Sequence, residues 1–203
     1  MKTLAQFAKR AALTLTIVGA PVLSITTTAH AELISNVPLD KSRFDIMPIG
    51  QLMAIAQQGD QQAQFFLAKR LQKGQGVVQN FQQAIQWYTI AARQNIAPAQ
   101  LNLAMMYIRG EGVAPNAQQA RYWLEKAAKL GDNRASYTLA MLDEKERKMV
   151  DAYKWYDLAS RDGMLSNEVR SRAQSKIGQL ALNLSSQDIA NARRLADSWF
   201  QAK

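Results

Sequence analysis

An internal repeat of 36 residues is the feature that most constrains what this chain can fold into. Tryptophan, glycine and alanine recur in a fixed register, and the last interval shortens to 32 residues. The residues in register are Gly76 and Gly112; Trp87, Trp123 and Trp155; and Ala91, Ala127 and Ala159. A period of this length is typical of helix-pair repeats, in which each unit buries its apolar face against its neighbours. The sequence therefore predicts three stacked units.

Each unit is predicted to be two helices joined by a tight turn. In the second unit the first helix carries its apolar residues at helical spacing: Ala99, Leu103, Ala104 and Tyr107. Gly110 and Gly112 end this helix, because glycine readily adopts the positive φ angles of a tight turn. Asn116 is a candidate N-cap for the second helix, and Gly131 is expected just beyond its end. The apolar face of the second helix is Ala120, Trp123, Leu124, Ala127 and Ala128.

The third unit departs from the pattern in its turn. The charged run from Asp143 to Lys148 replaces the Gly-x-Gly-Val sequence, and the unit is four residues shorter. Its second helix keeps the expected residues, which are Ala152, Trp155, Tyr156 and Ala159. We therefore expect a tighter, highly charged turn within an intact repeat.

These residues resemble the Sel1-like repeat family, which is related to the tetratricopeptide repeats. The match in the first unit runs through Ala63, Leu67, Ala68, Gly74, Gly76, Val77, Ala84, Trp87, Tyr88, Ala91 and Ala92. The departures are alanine for the first-helix glycine, Leu71 for a tyrosine, and the shortened third unit. The resemblance implies an all-α, right-handed α-solenoid of antiparallel helix pairs, with units at 60–95, 96–131 and 132–163. It also implies an interaction scaffold.

Capping segments are expected on both sides of the repeats, at 32–59 and 164–203, because terminal repeats must present a polar face to water. At the front, Pro48 to Gln58 is predicted to be a short helix, and Glu32 to Asp45 an extended or loose arm. At the back, a helix is predicted from an N-cap at Ser166 to about Leu184.

Ser185 and Asp188 are then predicted to form a variant capping box for a last helix. Its apolar residues are Ile189, Ala192, Leu195, Ala196 and Trp199. The basic residues of this end are Arg170, Arg172, Lys176, Arg193 and Arg194. They are interpreted as a solvated face or as a docking patch for an acidic partner.

Residues 1–31 have the composition of a cleavable signal peptide. Three positive charges precede an apolar stretch, and Ala29-His30-Ala31 supplies the small residues of a cleavage site before Glu32. An uncleaved anchor is the alternative, but the apolar stretch is short and Pro21 interrupts it. We expect export to the periplasm, with the net charge of +9 falling by three to +6 on cleavage. No membrane span is expected afterwards.

The side chains left after cleavage do not favour catalysis. The chain has no cysteine and one histidine, His30, which the cleavage removes. The commonest acid–base and nucleophilic groups are thus missing, and we predict no enzyme activity, no metal and no cofactor. The carboxylates near Asp143 alternate with cations, which is typical of a solvated turn. Nucleic acid is not an expected partner in the periplasm, so the basic charge favours acidic proteins or the anionic envelope.

The first helix of each unit lines the groove in the repeat families that this chain resembles. Two rows of that helix are candidate binding residues: Phe65, Leu101 and Tyr137, and Lys69, Met105 and Met141. Arg109 is predicted to flank them, together with Gln62, Gln72 and Arg134. Exposed apolar rows mark binding surfaces; the alternative is that the first row packs between helices.

The most direct hypothesis is a periplasmic scaffold or adaptor with a regulatory role, as the resemblance implies, that binds a partner protein or peptide in this groove. An accessory protein of an envelope machine, similar to a flagellar-motor stator component or a cofactor of a cell-wall enzyme, is the alternative. A purely structural component that associates through its ends is a third. The sequence predicts neither the partner nor the oligomeric state.

Overall fold

The computed structural model describes residues 41–161 and 167–199. The predicted signal peptide and residues 32–40 of the predicted arm lie outside these ranges. Within them the chain forms ten helices: α1 Lys41–Ile46, α2 Ile49–Gln57, α3 Gln61–Lys73, α4 Phe81–Arg93, α5 Ala97–Arg109, α6 Ala117–Lys129, α7 Asn133–Lys145, α8 Met149–Ser160, α9 Asn167–Ala181 and α10 Ser186–Trp199. Each helix of the repeats packs on the one before and the one after it. The architecture is the predicted all-α solenoid of helix pairs.

The second helices of the first two units begin at asparagines in the repeat register. The side chain of Asn80 accepts a hydrogen bond from the backbone N–H of Gln83 at 3.0 Å, and Asn116 accepts one from Gln119 at 2.9 Å. Such a cap satisfies a backbone donor that the helix leaves unpaired and stabilises it by about 1 kcal/mol. The prediction for Asn116 is confirmed. The corresponding residue of the third unit is Lys148, whose side chain makes no cap hydrogen bond.

The two Gly-x-Gly turns owe their path to left-handed backbone conformations. Gly76 and Gly112 have φ angles of +69° and +72°. A Cβ added to Gly112 would lie 2.5 Å from the Cβ of Phe81, whereas one added to Gly76 would meet nothing within 4 Å. The second turn is therefore seated on the start of α4 in the preceding unit, and its glycine is required by close contact as well as by φ.

The third turn is short and charged, as predicted. Only residues 146–148 separate α7 from α8, where 110–116 separate α5 from α6. Arg147 takes the left-handed conformation, with φ of +61°. Behind it, the buried carboxylate of Asp143 accepts a hydrogen bond from Arg121 of α6 at 2.6 Å. An ion pair thus ties the third unit to the second.

The core runs along the inside of the helix pairs and uses the repeated alanines. Ala84, Ala120 and Ala152 have no exposed surface, which allows the helices to approach closely. Of the repeated tryptophans, Trp123 and Trp155 are buried, and Trp87 is half-buried against the core. Trp155 packs against Trp199 of α10 and so joins the third unit to the C-terminal helices.

A buried glutamine joins each of the first two units to the element before it. Gln64 Nε2 donates to the carbonyl of Ala56 at the end of α2, at 3.1 Å. Gln100 Nε2 donates to the carbonyl of Ala92 at the end of α4, at 2.9 Å. The two glutamines are 36 residues apart, and Ser136 occupies the position in the third unit. Each bond is a second hydrogen bond to a carbonyl that also accepts from a backbone N–H, of Gly59 at 3.1 Å for Ala56 and of Asn95 at 3.2 Å for Ala92.

The front of the solenoid differs in part from the prediction. Helix α2 lies where the capping helix was expected, and Leu52 and Ala56 are buried against α3. Residues 41–45 of the expected loose arm, however, belong to α1. Phe44 stacks on Phe66 with ring centroids 5.6 Å apart, and its side chain is buried. The prediction of an extended arm is therefore wrong for these residues, because one aromatic side chain anchors them to the repeats.

Arg70 completes this attachment. Its guanidinium donates to the backbone carbonyls of Phe44, at 3.0 Å, of Met47, at 2.5 Å, and of Asp45. These carbonyls lie at the end of α1, where the helix dipole favours a cation. A nearly buried arginine thus has backbone oxygens as its partners, an arrangement that the sequence pattern did not indicate.

The C-terminal pair α9 and α10 packs on α8. The predicted capping box is present: Asp188 N–H donates to Ser185 Oγ at 3.1 Å, and Ser185 N–H donates back to the Asp188 carboxylate at 3.3 Å. Trp199 meets Trp155 edge-to-face, with centroids 4.7 Å apart. Leu195, assigned to the apolar stripe, is 39% exposed instead. The proposed cap at Ser166 lies outside the described residues.

Glu144 links the charged turn to this C-terminal pair. Its carboxylate accepts hydrogen bonds from Tyr156 at 2.7 Å and from Lys176 of α9 at 2.9 Å. Burial alone would raise the pKa of Glu144, but the hydrogen bonds from Lys176 and Tyr156 outweigh it, and the pKa lies below its usual value. The carboxylate is therefore held in its charged form.

Candidate partner-binding groove

The first predicted row is largely core. Phe65 and Leu101 are 6% and 7% exposed, and Tyr137 is half-buried. Phe65 packs on Tyr88, and Tyr137 packs on Tyr156, each within its own helix pair. The row therefore faces the second helix of the unit, and of its two alternatives, an exposed strip or packing between helices, the burial of Phe65 and Leu101 supports the second. Only Phe65 reaches the groove described below, at its wall.

The second predicted row is accessible. Lys69 keeps 26% of its side chain exposed, Met105 is half-buried, and Met141 is 52% exposed. Lys69 could not be buried without a partner, and it pairs with Asp45 at 3.1 Å while lying over the ring of Phe66. The accessibility of this row agrees with the prediction, and its part in binding stays a prediction.

A groove of about 660 Å³ crosses the first helices of the repeats. Its walls come from α3, α5 and the start of α7, with Tyr88 of α4 and the first glycine turn closing it. The residues that the sequence predicted and the groove contains are Phe65, Lys69, Met105, Arg109, Gln72 and Arg134. Leu101, Tyr137 and Met141 do not line it. Sequence reasoning missed Lys73, Asn102, Glu111 and Phe81, which also line it.

A chain of polar side chains forms the groove floor. Asn102 donates to the hydroxyl of Tyr88 at 3.0 Å, and that hydroxyl donates to Gln72 at 3.0 Å. Gln72 in turn donates to the carboxylate of Glu111 at 2.8 Å. Burial raises the pKa of Tyr88, so its hydroxyl stays protonated and remains a donor at neutral pH. The network connects two repeats and fixes the side chains that face the groove.

The rim of the groove is mainly basic. It carries Lys69, Lys73, Arg109 and Arg134, against the single carboxylate of Glu111. Arg109 lies 3.4 Å from Glu111 and stays 58% exposed. Arg134 is held by the buried carboxylate of Asp132, which accepts from its Nε at 3.0 Å and its Nη2 at 2.8 Å. The groove therefore offers a cationic rim around a polar floor, with Lys69 and Arg134 each held by a carboxylate.

Comparison with known proteins agrees with this architecture. The family model described as Sel1 repeat matches residues 61–96, 97–132 and 143–164. The crystal structure of a Sel1 repeat protein from Oxalobacter formigenes is 33% identical, covering 63% of this chain and 97% of that one, with a TM-score of 0.52. The chain belongs to the Sel1 repeat family. The predicted units begin one residue before the first two matched segments, and the third match begins at 143, within α7.

A second solved structure is that of c5321, a protective antigen present in uropathogenic Escherichia coli strains that displays an SLR fold. It is 25% identical, with a TM-score of 0.46, and the alignment covers 75% of this Sel1 repeat chain. The chain spans 40% of the length of that protein. Among curated proteins no match is found.

Sel1 repeat proteins generally mediate protein–protein interactions, and the scaffold is generally non-catalytic. Within residues 41–161 and 167–199, no three histidine, cysteine, aspartate or glutamate residues are grouped as metal ligands would be. No helix in the same ranges has the length and hydropathy needed to cross a bilayer. The side chains that line the groove can form hydrogen bonds, ion pairs and apolar contacts.

Proposed function

We propose that this protein is a periplasmic, non-enzymatic scaffold that binds a segment of a partner protein in the groove across α3, α5 and α7. The sequence of residues 1–31 supports the location, because its charge, apolar stretch and Ala29-x-Ala31 pattern are typical of a cleaved export signal. Membership of an interaction-repeat family supports the binding role.

The observation that carries the proposal is the groove floor. Asn102, Tyr88 and Gln72 form a hydrogen-bonded chain that joins two repeats, and Met105 lies half-buried beside it. A binding site needs side chains held in place before the partner arrives, since ordering them on binding costs affinity. Methionine adds an apolar contact that adapts to its partner. The floor and its methionine together give a preorganised surface of mixed polarity.

Site-specific photo-crosslinking in living cells tests this proposal. A photoreactive phenylalanine analogue is placed at Met105 in the groove and, as a matched control, at Ile90, which is 41% exposed on a second helix. We expect a discrete crosslinked product from Met105 and none from Ile90. Equal crosslinking from the two positions would refute groove binding.

The same cells test the location. We expect the protein in the periplasmic fraction, with Glu32 as its first residue. A chain that retains residues 1–31 or stays in the cytoplasm would refute the periplasmic assignment while leaving the crosslinking result to stand alone.

A further inference from the structure

We infer that the occupant of the groove is an acidic, extended segment of the partner protein. This inference rests on the proposed function and adds the chemistry of the ligand. It is carried by three features of the groove: the sign of its rim, the hydrogen-bonding capacity that its cations leave unused, and the free amide groups of its floor.

The sign of the rim favours a ligand with negative charge. Four cationic side chains and one carboxylate line the groove. Asp45 and Asp132 pair with Lys69 and Arg134 beside it, so one net positive charge remains, on Lys73. That carboxylate, Glu111, lies at the floor, where it already accepts from Gln72 at 2.8 Å. Complementary charge speeds encounter and disfavours the wrong partners. An acidic segment therefore meets attraction along the rim, whereas a basic one meets repulsion.

Three of the cationic side chains have N–H donors that no strong internal hydrogen bond uses. The ammonium of Lys73 has no hydrogen-bond or ion-pair partner in the described part of the chain, and it carries three N–H donors. Arg134 uses Nε and Nη2 on Asp132, which leaves its Nη1 group unused and its orientation fixed. Arg109 makes one contact, at 3.4 Å, to Glu111. These three residues can each donate to a carboxylate without giving up a strong internal bond.

The floor favours an extended backbone over a helix. The side-chain amide of Asn102 donates one N–H to the hydroxyl of Tyr88. Its side-chain carbonyl oxygen has no hydrogen-bond partner among residues 41–161 and 167–199. An amide with one acceptor and one donor left over pairs with a peptide N–H and C=O. An extended segment offers both groups, whereas a helix has already used them. Glu111 at the floor disfavours the phosphate run of a nucleic acid.

The test is a selection of random dodecapeptides displayed on phage against the purified protein. Enriched peptides are synthesised with a fluorophore and titrated at low and physiological salt. The groove variant is Lys73→Gln with Arg109→Gln. The matched control is Arg93→Gln with Lys145→Gln, which removes the same charge from exposed positions at the ends of α4 and α7, outside the groove.

We expect the selected peptides to carry an excess of Asp and Glu. Their affinity falls about tenfold, or about 1.4 kcal/mol, in the groove variant, and stays within twofold in the control. Replacing Asp and Glu in the peptide by Asn and Gln has the same effect as the groove variant. Binding also weakens as salt rises.

Two other outcomes would overturn the inference in distinguishable ways. Peptides that compete at the groove, as judged by loss of binding on Met105→Arg, but show no acidic excess would refute the acidic ligand and leave the proposed function standing. Peptides whose binding none of the groove variants changes would refute both. Circular dichroism of each variant establishes that the helices are intact, and inorganic phosphate or heparin binding more tightly than the peptides would refute a protein ligand.

Discussion

The glycine turns give the sharpest test of how this solenoid is held together. Gly76 and Gly112 occupy the same repeat position with almost the same φ, +69° and +72°. Alanine at either position must adopt a left-handed conformation, which costs about 1 kcal/mol. At Gly76 the new methyl group has open space, but at Gly112 it would lie 2.5 Å from Phe81 Cβ and 2.9 Å from its carbonyl carbon. The two Gly→Ala substitutions therefore share the conformational cost, and only Gly112→Ala adds a steric clash.

The clash adds a packing penalty to the conformational one. The backbone of Phe81 begins α4 and cannot rotate away as a flexible side chain would, so overpacking there costs a further 1–3 kcal/mol or so. Gly112→Ala should therefore lower the free energy of unfolding by about 2–4 kcal/mol, and Gly76→Ala by about 1 kcal/mol. For a domain of this size the first change corresponds to a fall in Tm of roughly 4–16 °C.

Urea unfolding followed by circular dichroism at 222 nm measures both changes, with Gly178→Ala as the control of opposite sign. Gly178 lies inside α9 with nothing within 4 Å of an added Cβ, so alanine there should stabilise the helix by about 0.8 kcal/mol. The m value must be unchanged for the comparison to hold. Equal losses for Gly76→Ala and Gly112→Ala would refute the view that the second turn is seated on Phe81.

Three further substitutions test other contacts. Gln100→Leu removes one of the two hydrogen bonds to the carbonyl of Ala92, which keeps the N–H of Asn95, and should lower the free energy of unfolding by about 0.5–1.5 kcal/mol; an unchanged urea midpoint would contradict this. Lys176→Met should destabilise by about 0.5 kcal/mol at pH 7. The difference from wild type should shrink as pH falls below the ordinary glutamate pKa and vanish below the lowered pKa of folded Glu144, because the stability that a depressed carboxylate pKa supplies is lost as pH falls through the folded value. Thermal melts at a series of acid and neutral pH values measure this, and a difference that stays constant as Glu144 is protonated would show that Glu144 is not the partner. Arg70→Met should abolish hydrogen-exchange protection of α1 and leave α5 to α8 unchanged, and protection retained in α1 would show that Phe44 suffices.

The helix pairs and their turns were predictable because their characteristic residues recur at a fixed interval in the sequence. Asn116 as an N-cap and Gly112 at positive φ follow from local chemistry repeated at one interval. The charged third turn was also predictable, since four residues are missing where the glycines should be. Helix α1 was not, because its stability comes from Phe44 and Arg70, which are far apart in sequence and belong to no period.

The groove was predictable only in part, for a geometric reason. A 36-residue register identifies residues that share a face, but the first helix of each unit has two apolar faces, one toward its partner helix and one toward the groove. Phe65 belongs to the former and Met105 to the latter, and hydropathy does not separate them. Lys69 did distinguish the accessible row from the core row, because a charged side chain indicates the face that is open to solvent. The buried glutamines Gln64 and Gln100 were missed, although the same register contains them.

The three turns are stabilised by different kinds of interaction, so the two ends of the solenoid should differ in their response to pH and salt. The first two turns depend on the left-handed conformation of their glycines, and the second also on its contact with Phe81, and neither pH nor ionic strength acts on these. The third has the carboxylates of Glu144 and Glu146 paired with cations, and both acid and salt weaken such pairs. Because each unit of a solenoid contacts only its neighbours, that sensitivity stays local. Acid or high salt should therefore loosen this protein first at its C-terminal end, while the uncharged hydrogen bonds among Asn102, Tyr88 and Gln72 in the groove floor persist.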